Sequence, residues 1–201
     1  MEQITSRANP LMVHLRKLGA SHSYRNKTGE YLGDSGKLLG EALRWGAELT
    51  AVVCTSGTAL PQLPPDVRAV EVPEGLMAYI SPMETPQGVL FSARRPASSL
   101  PDELTGRRYL ALEGVQDPGN VGTILRTADA FDADGLFLLA GCADLYSPKT
   151  LRASMGAAFR RPVWSCTLEE LRTLLDRAGL PLIGTALRAD TVDARQADLS
   201  R

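Results

Sequence analysis

From residue 113 to 131 the chain reads Glu-Gly-Val-Gln-Asp-Pro-Gly-Asn-Val-Gly-Thr-Ile-Leu-Arg-Thr-Ala-Asp-Ala-Phe, a stretch whose residue types and spacing could do chemistry. The apolar run Tyr109–Leu112 precedes it, so the segment reads as a strand end, a tight Asp-Pro-Gly turn and a helix beginning near Asn120. Ligands of open parallel sheets bind at the carboxyl ends of strands, where such turns sit. A helix N-terminus favours anions through its free N–H groups and the macrodipole. Asn120 puts an amide at that spot, and Gly122 lets another backbone approach. Arg126 follows nearly two turns along, with Thr123 and Thr127 beside it. The same residues can also be read as Asn120 capping the helix and Arg126 lying over Leu125 as a surface cation. Spacing alone leaves both open.

Other candidate chemistry is weaker. Gly33-Asp-Ser-Gly36-Lys37 lacks the GxxxxGK spacing of a phosphate loop, and Leu38 stands where a magnesium-binding Ser or Thr would be. No GxGxxG follows a strand, so a dinucleotide fingerprint is missing too. The only histidines, His14 and His22, lie near the N-terminus, which disfavours a His/Cys metal site or a conventional triad. Cys54, Cys142 and Cys166 are odd in number and far apart, without a CxxC pair, so free thiols in a reducing cytoplasm are expected. The chain opens without a secretory signal, and no apolar run approaches 18 residues, so no membrane partner is expected.

The elements that must position these residues follow from periodicity. Asn9-Pro10 reads as a cap and first helical residue, and Leu11, His14, Leu15 and Leu18 recur at helical spacing up to Gly19. A polar stretch, 21–30, leads to a short strand at Tyr31-Leu32, and Ser35–Trp45 reads as a helix. Leu49–Cys54 and Val67–Val72 are β-branched runs, Pro73–Ile80 a short helix and Gly88–Ala93 a closing strand. This alternation over 28–95 predicts a small α/β sandwich, with residues 1–27 as a helical arm. Residues 96–106 are a linker by composition. From 107 to 201 the pattern restarts: strands at Tyr109–Leu112, Gly135–Leu139, Pro162–Cys166 and Leu182-Ile183, helices at 119–131, Pro148–Met155 and Leu168–Ala178. Thr167 and Glu170 form a capping box, and Gly179 stops the last helix. Strands alternating with helices predict a parallel sheet.

The 201 residues carry a formal net charge of −1, so no overall basic field announces a nucleic-acid partner. Charge is unevenly placed, however. Residues 1–27 hold Arg7, Arg16, Lys17, Arg25 and Lys27 against Glu2 alone, and 147–162 hold Lys149, Arg152, Arg160 and Arg161 with no acid. Such clusters can line a polyphosphate track or simply be solvated surface.

The pattern NxGxxxRxAxxF, spanning Asn120 to Phe131 after a strand and an Asp-Pro-Gly turn, resembles the first signature motif of the SpoU (TrmH) RNA ribose methyltransferases, of the knotted SPOUT class. Downstream, Ser147-Pro-Lys-Thr-Leu-Arg152-Ala-Ser154-Met-Gly156 is similar to the family segment after its second strand. Upstream, Ser23-Tyr-Arg25-Asn-Lys27 through Tyr31-Leu-Gly33, then Lys37 to Ala42, resembles the substrate-binding domain of members that carry one, a domain with the fold of a ribosomal RNA-binding protein. The resemblance covers residues from about 5 to 190. It implies methyl transfer from S-adenosylmethionine to a ribose 2′-hydroxyl of RNA, ribosomal RNA before transfer RNA. Arg126 would act at the hydroxyl, Asn120 would orient the arginine or the ribose, and the two side chains would face one cleft. Arg25, Lys27, Lys149, Arg152, Arg160 and Arg161 would hold RNA backbone. The family architecture is a homodimer.

Family members carry two further motifs, a glycine-rich loop with a glutamate and a Ser-Leu-Asn helix that threads the knot. Nothing after Leu187 resembles either. Leu182-Ile-Gly-Thr185-Ala186-Leu187 resembles the strand and loop before them, so only the near rim of the cofactor pocket, Thr185, Ala186 and Leu187, is expected. The expectation is therefore a SPOUT domain lacking its knot, with weak or no binding of adenosylmethionine. The alternative is a non-catalytic RNA-binding protein.

Overall fold

The computed structural model describes residues 1–97, 99–185, 191–193 and 195–196. Two sheets organise it. The first runs in the order β1 (Glu2–Gln3), β4 (Arg68–Val72), β3 (Leu49–Thr55), β5 (Val89–Arg94), β2 (Glu30–Asp34). β1 and β3 lie parallel to β4, and β5 is antiparallel to both β3 and β2, with Val53 opposite Leu90 and Leu32 opposite Ser92. Alternate residues point to opposite faces, so the β-branched runs feed two cores. Leu32, Val53, Val70, Val72 and Leu90 meet Met12, Leu15 and Leu18 of α1 (Pro10–Ala20) and Leu76, Met77 and Ile80 of α4 (Glu74–Ile80). Tyr31, Val52, Cys54, Val89 and Phe91 meet Leu38, Leu39 and Ala42 of α3 (Gly36–Arg44).

Two sequence expectations need correction here. Residues 1–27 are no separate arm: β1 is an edge strand of the sheet, and α1 buries Met12, Leu15 and Leu18 completely. The polar stretch 21–30 contains a helix, α2 (His22–Thr28), capped by the Ser21 hydroxyl and closed by Gly29 in the left-handed region. Its one buried side chain is Arg25, so no apolar periodicity could announce it.

The second sheet is parallel, in the order β6 (Tyr109–Leu112), β7 (Gly135–Leu138), β8 (Val163–Ser165). α5 (Pro118–Ala130) and α7 (Ala157–Arg160) cover one face through Val121, Leu125 and Ala157, joined by Leu145 from the loop before α6 (Pro148–Ser154), whose Leu151 packs in the first sandwich instead. α8 (Leu168–Ala178) covers the other through Leu171, Leu174 and Leu175, and its capping box is formed as the sequence implies. Leu100 and Leu104, read by composition as linker, pack against this second core. Leu182 and Ile183 are not in a strand; both are exposed and lack the sheet partner a strand needs. Among the described residues no helix is long and apolar enough to cross a membrane.

Candidate active site

β6 and β7 deliver their following loops to the same end of the parallel sheet. There the loops are tied together: the Gly114 N–H donates to the Ala140 carbonyl at 2.9 Å, Leu139 N–H to Leu112 at 2.8 Å and Ala143 N–H to Val115 at 2.9 Å. From this base α5 starts at Pro118. Its cap is Asp117, whose carboxylate accepts the Asn120 N–H at 3.0 Å. Asn120 is therefore the third helical residue and not the start. Proline has no N–H to satisfy and suits the first helical position, which makes the preceding residue the cap. Lys149 donates to the same carboxylate at 2.7 Å, and that bond, followed by the Asn120 N–H, holds the Asp117 carboxyl below its usual range. The positive end of α5 thus faces a carboxylate of this chain.

Gly122 fixes how closely α5 lies on α6. A Cβ at this position would come within 2.4 Å of the Thr150 carbonyl, 2.6 Å of Ala153 Cβ and 2.9 Å of the Ser154 nitrogen. α6 offers a low polar face at this crossing because its hydroxyls are satisfied internally. Thr150 donates to the Asp144 carbonyl and Ser154 to Leu151, both at 2.8 Å. The expected close backbone approach is thus between α5 and α6.

Asn120 and Arg126 are both exposed on α5. Six residues of helix set them about 120° apart in azimuth and about 9 Å along the axis. Arg126 enters no hydrogen bond or ion pair among the described residues, which leaves its guanidinium free. The two side chains are not brought together by the described residues.

The other basic candidates lie elsewhere. Arg25 is 4% exposed. It pairs with Asp144 at 2.8 Å and donates to the Leu18 carbonyl at 2.7 Å. Arg152 pairs with Asp34, and Arg160 with Glu41 and with Asp129, the latter at 2.7 Å. Arg161 pairs with Asp129 at 2.7 Å and Asp132 at 2.8 Å. Arg25–Asp144, Arg152–Asp34 and Arg160–Glu41 each join the first sandwich to the second, so these charges dock the two halves. A phosphate role for Arg25 does not fit, because its donors are buried and taken. Lys27 is exposed. Asp34 is 2% exposed, with one carboxylate oxygen on Arg152 and the other without a partner. Burial pushes its carboxyl up to about 6 against the pull of Arg152.

A cavity of 890 Å³ opens where the carboxyl ends of β7 and β8 meet the first sandwich. Leu138, Leu139 and Leu145 give it apolar walls; Ser147, Ser165 and Thr167 give it polar ones. Asn120 and Arg126 are not among its lining residues, and Thr185 is exposed. Ala186 and Leu187 lie outside the described residues. Sequence reasoning missed Asp117 as the cap, although Asp-Pro signals it. It also missed Asp144, whose buried partner is 119 residues away and leaves no local trace.

The sequence model of the SpoU rRNA methylase family matches residues 107–200. The chain is 32% identical over 189 residues to the 23S rRNA (guanosine(2553)-2′-O)-methyltransferase RlmP of Bacillus subtilis, covering 94% of this chain and 75% of that protein. The crystal structure of an rRNA methyltransferase from Sinorhizobium meliloti superposes with a TM-score of 0.84 at 30% identity, over 98% of this chain and 77% of that one. An AdoMet-bound rRNA methyltransferase from the same organism gives 0.75 at 30% identity, over 88% and 69%. The chain spans less than two fifths of the vertebrate mitochondrial rRNA methyltransferases that it also matches. Motif, parallel sheet and a likeness to a bacterial relative over 94% of this chain agree: the chain belongs to the SpoU rRNA methylase family.

Proposed function

We propose that this protein transfers a methyl group from S-adenosylmethionine to a ribose 2′-hydroxyl of RNA, with ribosomal RNA as the substrate. The observation that carries the reading is the likeness over 98% of the chain to an rRNA methyltransferase structure, with the strand–turn–α5 motif inside it. The cavity beyond β7 and β8 fits a nucleoside-sized cofactor, having the size and mixed apolar and polar walls of ligand pockets. Leu138, Ser165 and Thr167 would hold it there, with Thr185, Ala186 and Leu187 as a further rim. Bound adenosylmethionine supplies an already activated methyl group, so the protein's task is to align the hydroxyl and to stabilise charge as its proton leaves.

Arg126 is proposed for that task. A guanidinium stays protonated in proteins, so its role is to donate hydrogen bonds to a target phosphate and to the developing alkoxide rather than to abstract a proton. Asn120, exposed on the same helix, orients the ribose. Lys27 contributes to holding RNA backbone. Lys149, Arg152 and Arg160 do so only by leaving their present carboxylates. A second copy of the chain is proposed as partner, consistent with Phe131 being 75% exposed at the end of α5. A reducing cytoplasm is the proposed setting.

Labelled methyl transfer to ribosomal RNA tests the reading. Arg126→Ala is expected to lower kcat about 10²–10³-fold, the cost of removing one donor aimed at developing negative charge. Undiminished transfer by that variant removes Arg126 from the mechanism. RNA binding with no transfer by the unaltered chain favours the non-catalytic alternative.

A further inference from the structure

The seam between the two sandwiches holds a second cavity, of 590 Å³, on which the proposed function makes no demand. Its lining is aromatic and cationic. The chain has two tryptophans, Trp45 and Trp164, and both line it. They come from opposite halves: Trp45 ends α3 in the first sandwich, and Trp164 is the middle residue of β8 in the second. Trp164 is backed by Phe137, with ring centroids 5.1 Å apart and planes 28° from parallel. Trp45 is 48% exposed, although a large apolar ring gains most by being buried. Beside them Tyr146 packs at a tilt against the buried Tyr31, with ring centroids 5.0 Å apart, and Arg95 lies 4.9 Å from the centre of the Tyr146 ring.

The cations of this cavity differ in how far they are committed. Arg160 and Arg161 are held by Asp129. Arg94 pairs with Glu48 at 3.3 Å, but both side chains are more than half exposed, so the pair is worth little and yields readily to a competing anion. Arg95 keeps two guanidinium nitrogens, Nε and Nη2, buried without a hydrogen-bond acceptor; its nearest carboxylate, Asp144, is 3.9 Å away. Exposed indole beside a weakly paired surface arginine is a combination that binds unpaired nucleotides: rings offer a stacking surface to any base, and guanidiniums receive the backbone phosphates.

We infer that the interdomain cavity between Trp45 and Trp164 binds an unpaired nucleotide of the RNA substrate, its base stacked on an indole and its phosphate held by Arg94, with the buried charge of Arg95 behind it. This deepens the proposed function and rests on RNA being the substrate. The same chemistry would admit a free nucleotide, so the experiment carries both.

Because both tryptophans line this cavity, emission reports on it directly. Trp164→Phe leaves Trp45 as sole reporter and keeps the packing on Phe137. Single-stranded oligouridylate, AMP and S-adenosylmethionine are titrated separately. Oligouridylate is expected to quench Trp45 emission, and Trp45→Ala to weaken its binding by anisotropy about tenfold, the loss of one base–aromatic stack. Arg94→Ala should weaken it further and flatten its salt dependence. Oligouridylate that binds with unchanged emission and equal affinity for Trp45→Ala overturns the inference, as does absence of any binding. Quenching by AMP or adenosylmethionine at lower concentration than by oligouridylate also overturns it, in favour of a mononucleotide site. Methyl transfer lost in Arg126→Ala while Trp45→Ala binds RNA normally removes the cavity and keeps the methyltransferase. Trp45 quenching by RNA without any methyl transfer does the reverse.

Discussion

Alanine is a better helix former than glycine by about 1 kcal/mol, so on propensity alone Gly122→Ala within α5 should raise stability. The packing of α5 on α6 opposes this. Ordinary carbon contacts begin near 3.4 Å, so contacts of 2.4, 2.6 and 2.9 Å fall short by 1.0, 0.8 and 0.5 Å. Two of the three neighbours are backbone atoms of α6 and cannot rotate away, so the helices must separate. Overpacking of this kind costs about 1–3 kcal/mol, and rigid neighbours put Gly122 at the upper end. Subtracting the propensity gain leaves a net loss of about 2 kcal/mol. For a chain of this size that lowers Tm by about 4–8 °C. Gly40 in α3 is the internal control: a Cβ there meets nothing within 4 Å, so Gly40→Ala should gain about 1 kcal/mol. Thermal unfolding by circular dichroism reads both. A Tm for Gly122→Ala equal to or above that of the unaltered chain refutes the argument that helix proximity at this glycine outweighs propensity.

Arg25→Ala takes the closest cation from the half-buried Asp144 carboxylate, leaving Arg95 at 3.9 Å, and should cost about 1–3 kcal/mol, read by urea denaturation. Equal stability would mean that Arg25 does not dock the two halves. Asp34 titrates with its folded value, about 6, above the unfolded one, so its ionisation opposes folding: stability from this group is full below about pH 4 and is lost as pH rises through 6. The shift corresponds to about 3 kcal/mol, and Asp34→Asn should flatten stability between pH 4 and 7; an unchanged slope rejects this. Thr167→Ala removes the capping box of α8 and should cost about 1 kcal/mol, while Thr167→Ser should keep most of it.

Legibility varied with the range of the interactions involved. α1, α3 and α8 were readable because apolar spacing and a capping Asn9, Ser35 or Thr167 are local signals that survived into the structure. α2 was hidden because its buried residue is an arginine, and β1 because two residues cannot display a period. Asp117 was legible in principle from the proline after it. Leu182-Ile183 looked like a strand by composition, but a strand exists only where another strand supplies hydrogen bonds.

The residue order by itself determined the alternation of strand and helix in the two α/β units, the turn that launches α5 and the motif that carries Arg126, because each is signalled by neighbours along the chain. Only the tertiary structure decided what the charges do. Arg25, Arg152 and Arg160 look alike in the sequence to any phosphate-binding cation, yet each finds a carboxylate about 119 residues away in the opposite half. Arg126 finds none among the described residues. A charge announces its sign along the chain but not its partner, because pairing depends on which surfaces packing brings together.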